Sequence, residues 1–136
     1  MVFRKCKMTN HALRKLEYEY NPVAGTSNIQ IKTGSNAKVP INDLSKPCII
    51  EWGIDATAEN NIMSLKCVVL FYFKVDGSDD YDIEELRQYV LENGNPAAYK
   101  KMTEIVKTIT GFSNTNPLIL PPYQAVAQKK AENDRV

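Results

Sequence analysis

The chain has 136 residues, which is enough for one domain with a hydrophobic core of its own. Its apolar content of 43% and its net charge of +1 are ordinary for a globular protein and do not indicate a non-specific nucleic-acid binder. No apolar run is long enough to span a membrane, and the N-terminus lacks the apolar segment of a signal peptide. We therefore expect a cytoplasmic protein, a single domain over residues 1–136 with flexible ends at 1–11 and 125–136.

Four segments in the first half of the chain predict β-strands. Residues 13–20 alternate apolar and charged side chains, which indicates a half-buried strand. Residues 29–33 form a weaker candidate that we expect to end at Gly34. Residues 49–59 and 64–75 both follow a period of two, with Trp52 on the apolar side of the first of these segments.

The segment 64–75 is apolar on both of its faces. One face is apolar throughout, and the opposite face is apolar in its middle, at Val68, Leu70 and Tyr72. An antiparallel sheet usually buries only one face. The second apolar face therefore needs a cover, which the chain supplies itself or borrows from another polypeptide.

Helical patterns follow the strands. Residues 82–93 have the spacing of an amphipathic helix, and Gly94 is a candidate stop. Asn95 and Pro96 are typical of the cap and first position of a second helix, over 96–110, which Gly111 would end. Strands followed by helices predict an α+β fold, a four-stranded antiparallel sheet with two C-terminal helices packed on one face.

A proline-bracketed arm follows the helices. Pro117 and Pro121 enclose Leu118, Ile119 and Leu120, and proline excludes a helix there. An extended aliphatic arm must lie against something apolar, which is the protein's own core, a second copy of the chain or another polypeptide.

No catalytic or metal-binding constellation is present in the sequence. The lone histidine, His11, lies in a basic segment and is typical of a surface residue, and the cysteines lack metal-site spacing, so we predict free thiols at Cys6, Cys48 and Cys67. Aromatic residues on the strands could stack bases, but Trp52 stands among acidic residues, which favours core or interface packing. We expect no cofactor, no metal and no enzymatic activity.

The order of these features resembles the SecB-type export chaperones. The helical region with Asn95 and Pro96, the glycine at 111 and the arm at 117–122 are similar to the C-terminal half of that family, which has a proline-flanked aliphatic arm. The strands come in a similar order, so the resemblance covers residues 12–124.

The resemblance implies a dimer or tetramer that binds unfolded polypeptides in apolar grooves without ATP. From the charge, the aromatic pattern and the lack of a long apolar run we expect no nucleic-acid partner and no membrane insertion. The alternative is a dedicated interaction module of the same fold, such as a chaperone associated with a toxin–antitoxin system, and without an export function. In either case we expect the polypeptide or oligomer contacts at Val68, Leu70, Tyr72, Leu118, Leu120 and Tyr123.

Overall fold

The structure is a computed structural model and describes residues 3–21, 28–59, 62–112 and 118–123. Its elements in chain order are strands β1 (Phe3–Tyr20), β2 (Ile29–Lys38), β3 (Cys48–Ala58) and β4 (Met63–Gly77), followed by helix α1 (Ile83–Gly111). The chain divides into two compact units between Ala98 and Tyr99. The sheet and the first half of α1 belong to the first unit, and the second half of α1 and the arm belong to the second.

The four strands form one antiparallel sheet in the order β1-β4-β3-β2. The weak segment at 29–33 does supply the fourth strand, at one edge of the sheet. The expectation that this strand ends at Gly34 is wrong, because it continues to Lys38 with Gly34 opposite Gly53 and Ser35 opposite Trp52. Gly34 does not have a positive φ, so it extends the strand and does not turn the chain.

Strand β1 is longer than the sequence pattern indicated. Residues 3–11, expected to be flexible, form its first half and pair with the end of β4. Two register shifts interrupt the alternation of this polar stretch, which explains why its sequence does not read as a strand, and a third follows between Leu13 and Lys15. Phe3 holds the start in place, since it is buried and its ring lies 5.8 Å from that of Tyr81 and 5.1 Å from that of Tyr89. The expected flexible end at 125–136 lies outside the described residues.

The core face of the sheet is built by alternate residues of the two central strands. In β4 every second side chain from Met63 to Val75 is buried, and the same alternation runs through β3 from Cys48 to Ala58. Trp52, Phe71 and Phe73 belong to this set, so these aromatic rings are core residues and are not presented for base stacking.

The expectation of two helices is wrong, because α1 runs without interruption from Ile83 to Gly111 with Pro96 inside it. Gly94 is a packing residue and not a helix stop. It is buried, and a Cβ at this position would lie only 3.0 Å from Ile50 Cδ1 and from Phe73 Cε1. The glycine therefore lets the helix backbone approach the core face of the sheet closely, and any side chain here would have to displace Ile50 or Phe73 by a few tenths of an ångström.

Asn95 has a different role from the predicted helix cap. Its side-chain oxygen accepts a hydrogen bond from Trp52 Nε1 at 3.0 Å, and its amide nitrogen is 3.4 Å from Ser35 Oγ. The asparagine is thus a buried polar link between α1 and strands β2 and β3. Because the side chain is used in this way, it is not available to end one helix and begin another.

Candidate functional site

The face of the sheet opposite the core carries the predicted site residues of β4. Val68, Leu70 and Tyr72 alternate with the buried residues and are each partly exposed. The register places Ile49 of β3 beside Tyr72, so a fourth apolar side chain joins them. We call this side of the sheet the open face.

A hollow of about 390 Å³ lies on the open face next to Val68. It arises because Gly34 and Gly53 stand opposite each other in β2 and β3, and Gly53 in turn stands opposite Val68. A Cβ added at Gly34 would meet nothing within 4 Å, and one added at Gly53 would reach only Val68 Cγ2, at 4.0 Å. The missing side chains leave one flank of Val68 accessible to a ligand atom.

An ion-pair cluster crosses the open face beside Leu70. Arg14 of β1 donates to Glu51 of β3 over 2.7 Å, a contact that passes over the intervening strand β4. The ammonium nitrogen of Lys38 in β2 lies 3.7 Å from Glu51 Oε2, the second oxygen of the same carboxylate. The carboxylate of Glu51 is therefore balanced by two cations, so the cluster adds positive charge to the middle of the face.

The arm belongs to the second unit and is tied to the second half of α1. The backbone N–H of Leu118 donates to Thr110 Oγ1 over 2.8 Å, and Thr110 Oγ1 itself donates to the carbonyl oxygen of Val106, also over 2.8 Å. Farther along the arm, the Tyr99 hydroxyl donates to the Pro121 carbonyl oxygen. The rings of Tyr99 and Tyr123 are 5.5 Å apart. The arm is thus held by its own helix, at least over residues 118–123.

The three predicted contact residues of the arm differ in exposure. Leu118 and Tyr123 are partly exposed, whereas Leu120 is only 4% exposed. Leu120 therefore offers little surface to a partner, because its side chain already serves internal packing. The aliphatic residue that the arm does present is Ile119, which is 66% exposed. Pro117 lies outside the described residues.

Two features of the site were missed at the level of sequence. Ile49 shares the open face, and the signal for it was the apolar pair Ile49 and Ile50, which puts apolar side chains on both sides of β3. The ion pair of Arg14 with Glu51 had no sequence signal, since the two residues are 37 positions apart and Arg14 lies at a register shift of β1.

His11 and the cysteines, which were considered for catalysis or metal binding, lie on strands β1, β3 and β4. His11 is exposed on β1, with its ring 6.3 Å from that of Phe71. Within the same residues no group of three or more His, Cys, Asp or Glu side chains is placed to hold a metal ion. Burial raises the pKa of the Cys6 thiol to about 11 and that of Cys48 to about 12, so both are protonated and unreactive at neutral pH.

The helix of the structure can be compared with what a membrane span requires. Across the parts of the chain that the structure describes, no helix combines the length and the apolar character needed to cross a bilayer.

Comparison with known proteins gives the fold a family context. No protein-family model matches the chain, and no curated protein matches it in sequence. Among solved structures, the chain is similar to the SecB-like chaperone Rv1957 of Mycobacterium tuberculosis, solved in complex with a ChAD peptide from the Rv1956 HigA1 antitoxin. The TM-score is 0.68 at 16% sequence identity, and the match covers 85% of this chain and 86% of the chaperone.

A second similar structure is a protein of unknown function from Streptococcus agalactiae. Its TM-score is 0.52 at 12% identity, over 86% of this chain and 97% of that one. The match to Rv1957 shows that the chain has the fold of a SecB-like chaperone, in agreement with the resemblance seen in the sequence.

Proposed function

We propose that this chain is an ATP-independent chaperone of the SecB-like type, which holds unfolded or partner polypeptide segments on the open face. The observation that carries the proposal is the partly exposed apolar row Val68, Leu70 and Tyr72, with Ile49 beside it, on a fold shared with a SecB-like chaperone. Side chains of this kind bind by burial of apolar surface, which does not require a defined client sequence.

The size of the open face sets the strength of binding. Complete burial of four such side chains stabilises a complex by on the order of 6–12 kcal/mol, and by less here because they are already partly buried. Ordering a disordered client costs about 2–5 kcal/mol. Association also costs translational and rotational freedom, so we expect a single face to bind a client only weakly. Several faces in one assembly would bind a client more tightly, so we propose a homo-oligomer, a dimer or tetramer.

The arm is proposed as a further contact surface, used independently of the open face. Leu118 and Tyr123 are partly exposed, and Ile119 is exposed between prolines that keep the segment extended. Because the arm is hydrogen-bonded to α1, it presents these side chains with little loss of conformational entropy on binding.

A second candidate function is a dedicated interaction module with one partner. The observation in its favour is that the similar SecB-like chaperone was solved with a peptide from one antitoxin. On this alternative the open face binds one polypeptide specifically, and the chain has no role in export. Purification of the chain from its native host separates the two candidates, because a chaperone returns a mixture of clients and a dedicated module returns one stoichiometric partner.

An aggregation assay tests the proposed function. A chemically denatured client is diluted into buffer with the wild-type chain or with the double variant Leu70→Asp and Tyr72→Asp, and light scattering is followed. We expect the wild type to slow aggregation at stoichiometric concentration and the variant to lose most of this effect, since two carboxylates would have to be desolvated on binding.

The matched control carries two aspartates at exposed positions of α1, Gln88→Asp and Asn93→Asp. It should protect the client as well as the wild type does. The proposal is wrong if the folded wild type gives no protection, or if the control loses as much activity as the open-face variant.

A further inference from the structure

The open face has an unbalanced cluster of positive charge at one end. Lys7 of β1 and Lys74 of β4 stand directly opposite each other, one row beyond Tyr72. Like charges at directly opposed positions of a sheet repel each other. Among the residues that the structure describes, neither ammonium group lies within ion-pair distance of a carboxylate, although Asp76, the next residue on this side of β4, stands opposite Lys5.

The other end of the open face is electrically balanced. One row there crosses all four strands as Glu17, Lys66, Asp55 and Lys32. The signs alternate from strand to strand, so each charge has neighbours of the opposite sign. Apolar residues and the Arg14–Glu51–Lys38 cluster lie between the two ends. The face thus has a polarity, with excess positive charge at the end marked by Lys7 and Lys74.

We propose that the segment held on the open face carries acidic residues on one flank of its apolar stretch. This inference rests on the proposed function and names the chemistry of its partner. The apolar stretch contacts Leu70, Tyr72 and Ile49, and the Asp or Glu residues that flank it lie against Lys7 and Lys74. The partner carboxylates would relieve the repulsion between these two ammonium groups, which gives a reason for the preference beyond simple attraction.

The composition of the face favours a polypeptide over a nucleic acid. A phosphate backbone carries a negative charge at every step, whereas the excess positive charge of the face extends only as far as the Arg14–Glu51–Lys38 cluster, and at the far end Asp55 and Glu17 balance the lysines. An acidic flank confined to one end of an apolar segment matches both the apolar centre and the charge polarity.

Paired synthetic peptides test the proposal. Two fluorescein-labelled peptides share the apolar core Phe-Leu-Val-Leu, one followed by three glutamates and the other by three lysines. Their dissociation constants are measured by fluorescence anisotropy at low and at high salt. We expect the acidic peptide to bind about tenfold more tightly at low salt, and we expect the difference to shrink at high salt because exposed charges are screened.

Two double variants locate the preference on the face. Lys7→Gln with Lys74→Gln should reduce the tenfold preference to about twofold. The matched variant, Lys32→Gln with Lys66→Gln, removes two lysines from the balanced end and should leave most of the preference in place. Thermal unfolding of each variant verifies that it is folded. The inference is overturned if the two flanks bind equally, or if both variants lose the preference to the same extent.

Further outcomes separate this inference from its alternatives. If neither peptide binds, the proposed function itself fails, whereas equal binding of both peptides retains that function and rejects only the acidic preference. A labelled single-stranded oligonucleotide that binds more tightly than the acidic peptide would reject the inference. The inference would also be rejected if the Lys7 and Lys74 substitutions left peptide binding unaltered but changed the molar mass of the protein in solution, as measured by light scattering. In that case the occupant of the open face would be a second copy of this chain.

Discussion

Trp52 Nε1 donates a hydrogen bond to Asn95 Oδ1 over 3.0 Å inside the first unit, where both residues are buried. The bond joins the middle of β3 to α1 close to Pro96. The bond gives the buried side-chain oxygen of Asn95 a hydrogen-bond partner. Asparagine is otherwise unfavourable in the interior of a helix. The same asparagine reaches Ser35 of β2, so one side chain helps fix the helix against two strands.

Replacing Asn95 with alanine should destabilise the protein by about 1–3 kcal/mol, because the buried indole N–H loses its acceptor. Urea unfolding measures the change. Asn93→Ala is the matched control, since Asn93 is exposed and its side-chain amide donates to the carbonyl oxygen of Tyr89 on its own helix. The control should lie within about 0.5 kcal/mol of the wild type. Equal effects of the two substitutions would contradict the role assigned to Asn95.

Gly94→Ala should destabilise the protein, although alanine favours a helix over glycine by about 1 kcal/mol. The new methyl group would press on Ile50 and Phe73, which are fully buried and have little room to move. Gly34→Ala is a control with open space around the new Cβ, and we expect it to be neutral or stabilising. Urea unfolding should therefore show a loss of stability for Gly94→Ala and none for Gly34→Ala. A stabilising Gly94→Ala would show that the helix does not approach Ile50 and Phe73 tightly.

Pro96→Ala distinguishes one helix from two. Inside a continuous helix, proline lacks one backbone donor and its ring crowds the preceding turn, so alanine should stabilise the chain by up to about 3 kcal/mol. At the first position of a separate helix the same substitution would be neutral or unfavourable. Thermal unfolding followed by circular dichroism should show a higher midpoint for the variant, and a lower midpoint would favour two helices.

The buried thiols predict a loss of stability in alkali. Burial raises the pKa of Cys48 from its ordinary value of 9.0 to about 12, with a smaller contribution from Cys6. Between these two values the unfolded chain has released the thiol proton and the folded chain has not. The unfolded state therefore binds fewer protons, and the stabilisation, fully present below pH 9, is lost as the pH rises toward 12.

Urea unfolding under reducing conditions at pH 8 and pH 10 measures this effect. The free energy of unfolding should fall between the two pH values, and it should fall less in Cys48→Ala, in which this thiol is absent. A fall of the same size in both proteins would show that other groups cause it.

Much of the sheet could be predicted from the sequence because its central strands follow a period of two without interruption. The pattern from Leu65 to Val75 indicated both the core face and the open face correctly. The start of β1 was missed because register shifts break its alternation and its residues are mostly polar. The edge strand β2 was cut short at Gly34, since a glycine that extends a strand and one that turns it look the same in a sequence.

In the helical region, local sequence signals did not predict the helix boundaries. Gly94, Asn95 and Pro96 in succession have the local chemistry of one helix ending and another beginning. Tertiary contacts override that chemistry, since Gly94 is needed where α1 approaches Phe73 and Asn95 is needed as the partner of Trp52. For the site, too, one part could be predicted from the sequence and another could not. Alternation placed Val68, Leu70 and Tyr72 together, but no sequence rule showed that Leu120 is buried while Ile119 is exposed.

The most direct test of polypeptide binding on the open face is site-specific photo-crosslinking. The photoreactive residue p-benzoylphenylalanine replaces Leu70 in one sample and Gln88, an exposed residue of α1, in another. Each protein is mixed with a labelled, denatured client and irradiated. We expect a strong client adduct from position 70 and about tenfold less from position 88. Adducts of equal yield at both positions, or an adduct from position 88 alone, would contradict polypeptide binding on the open face.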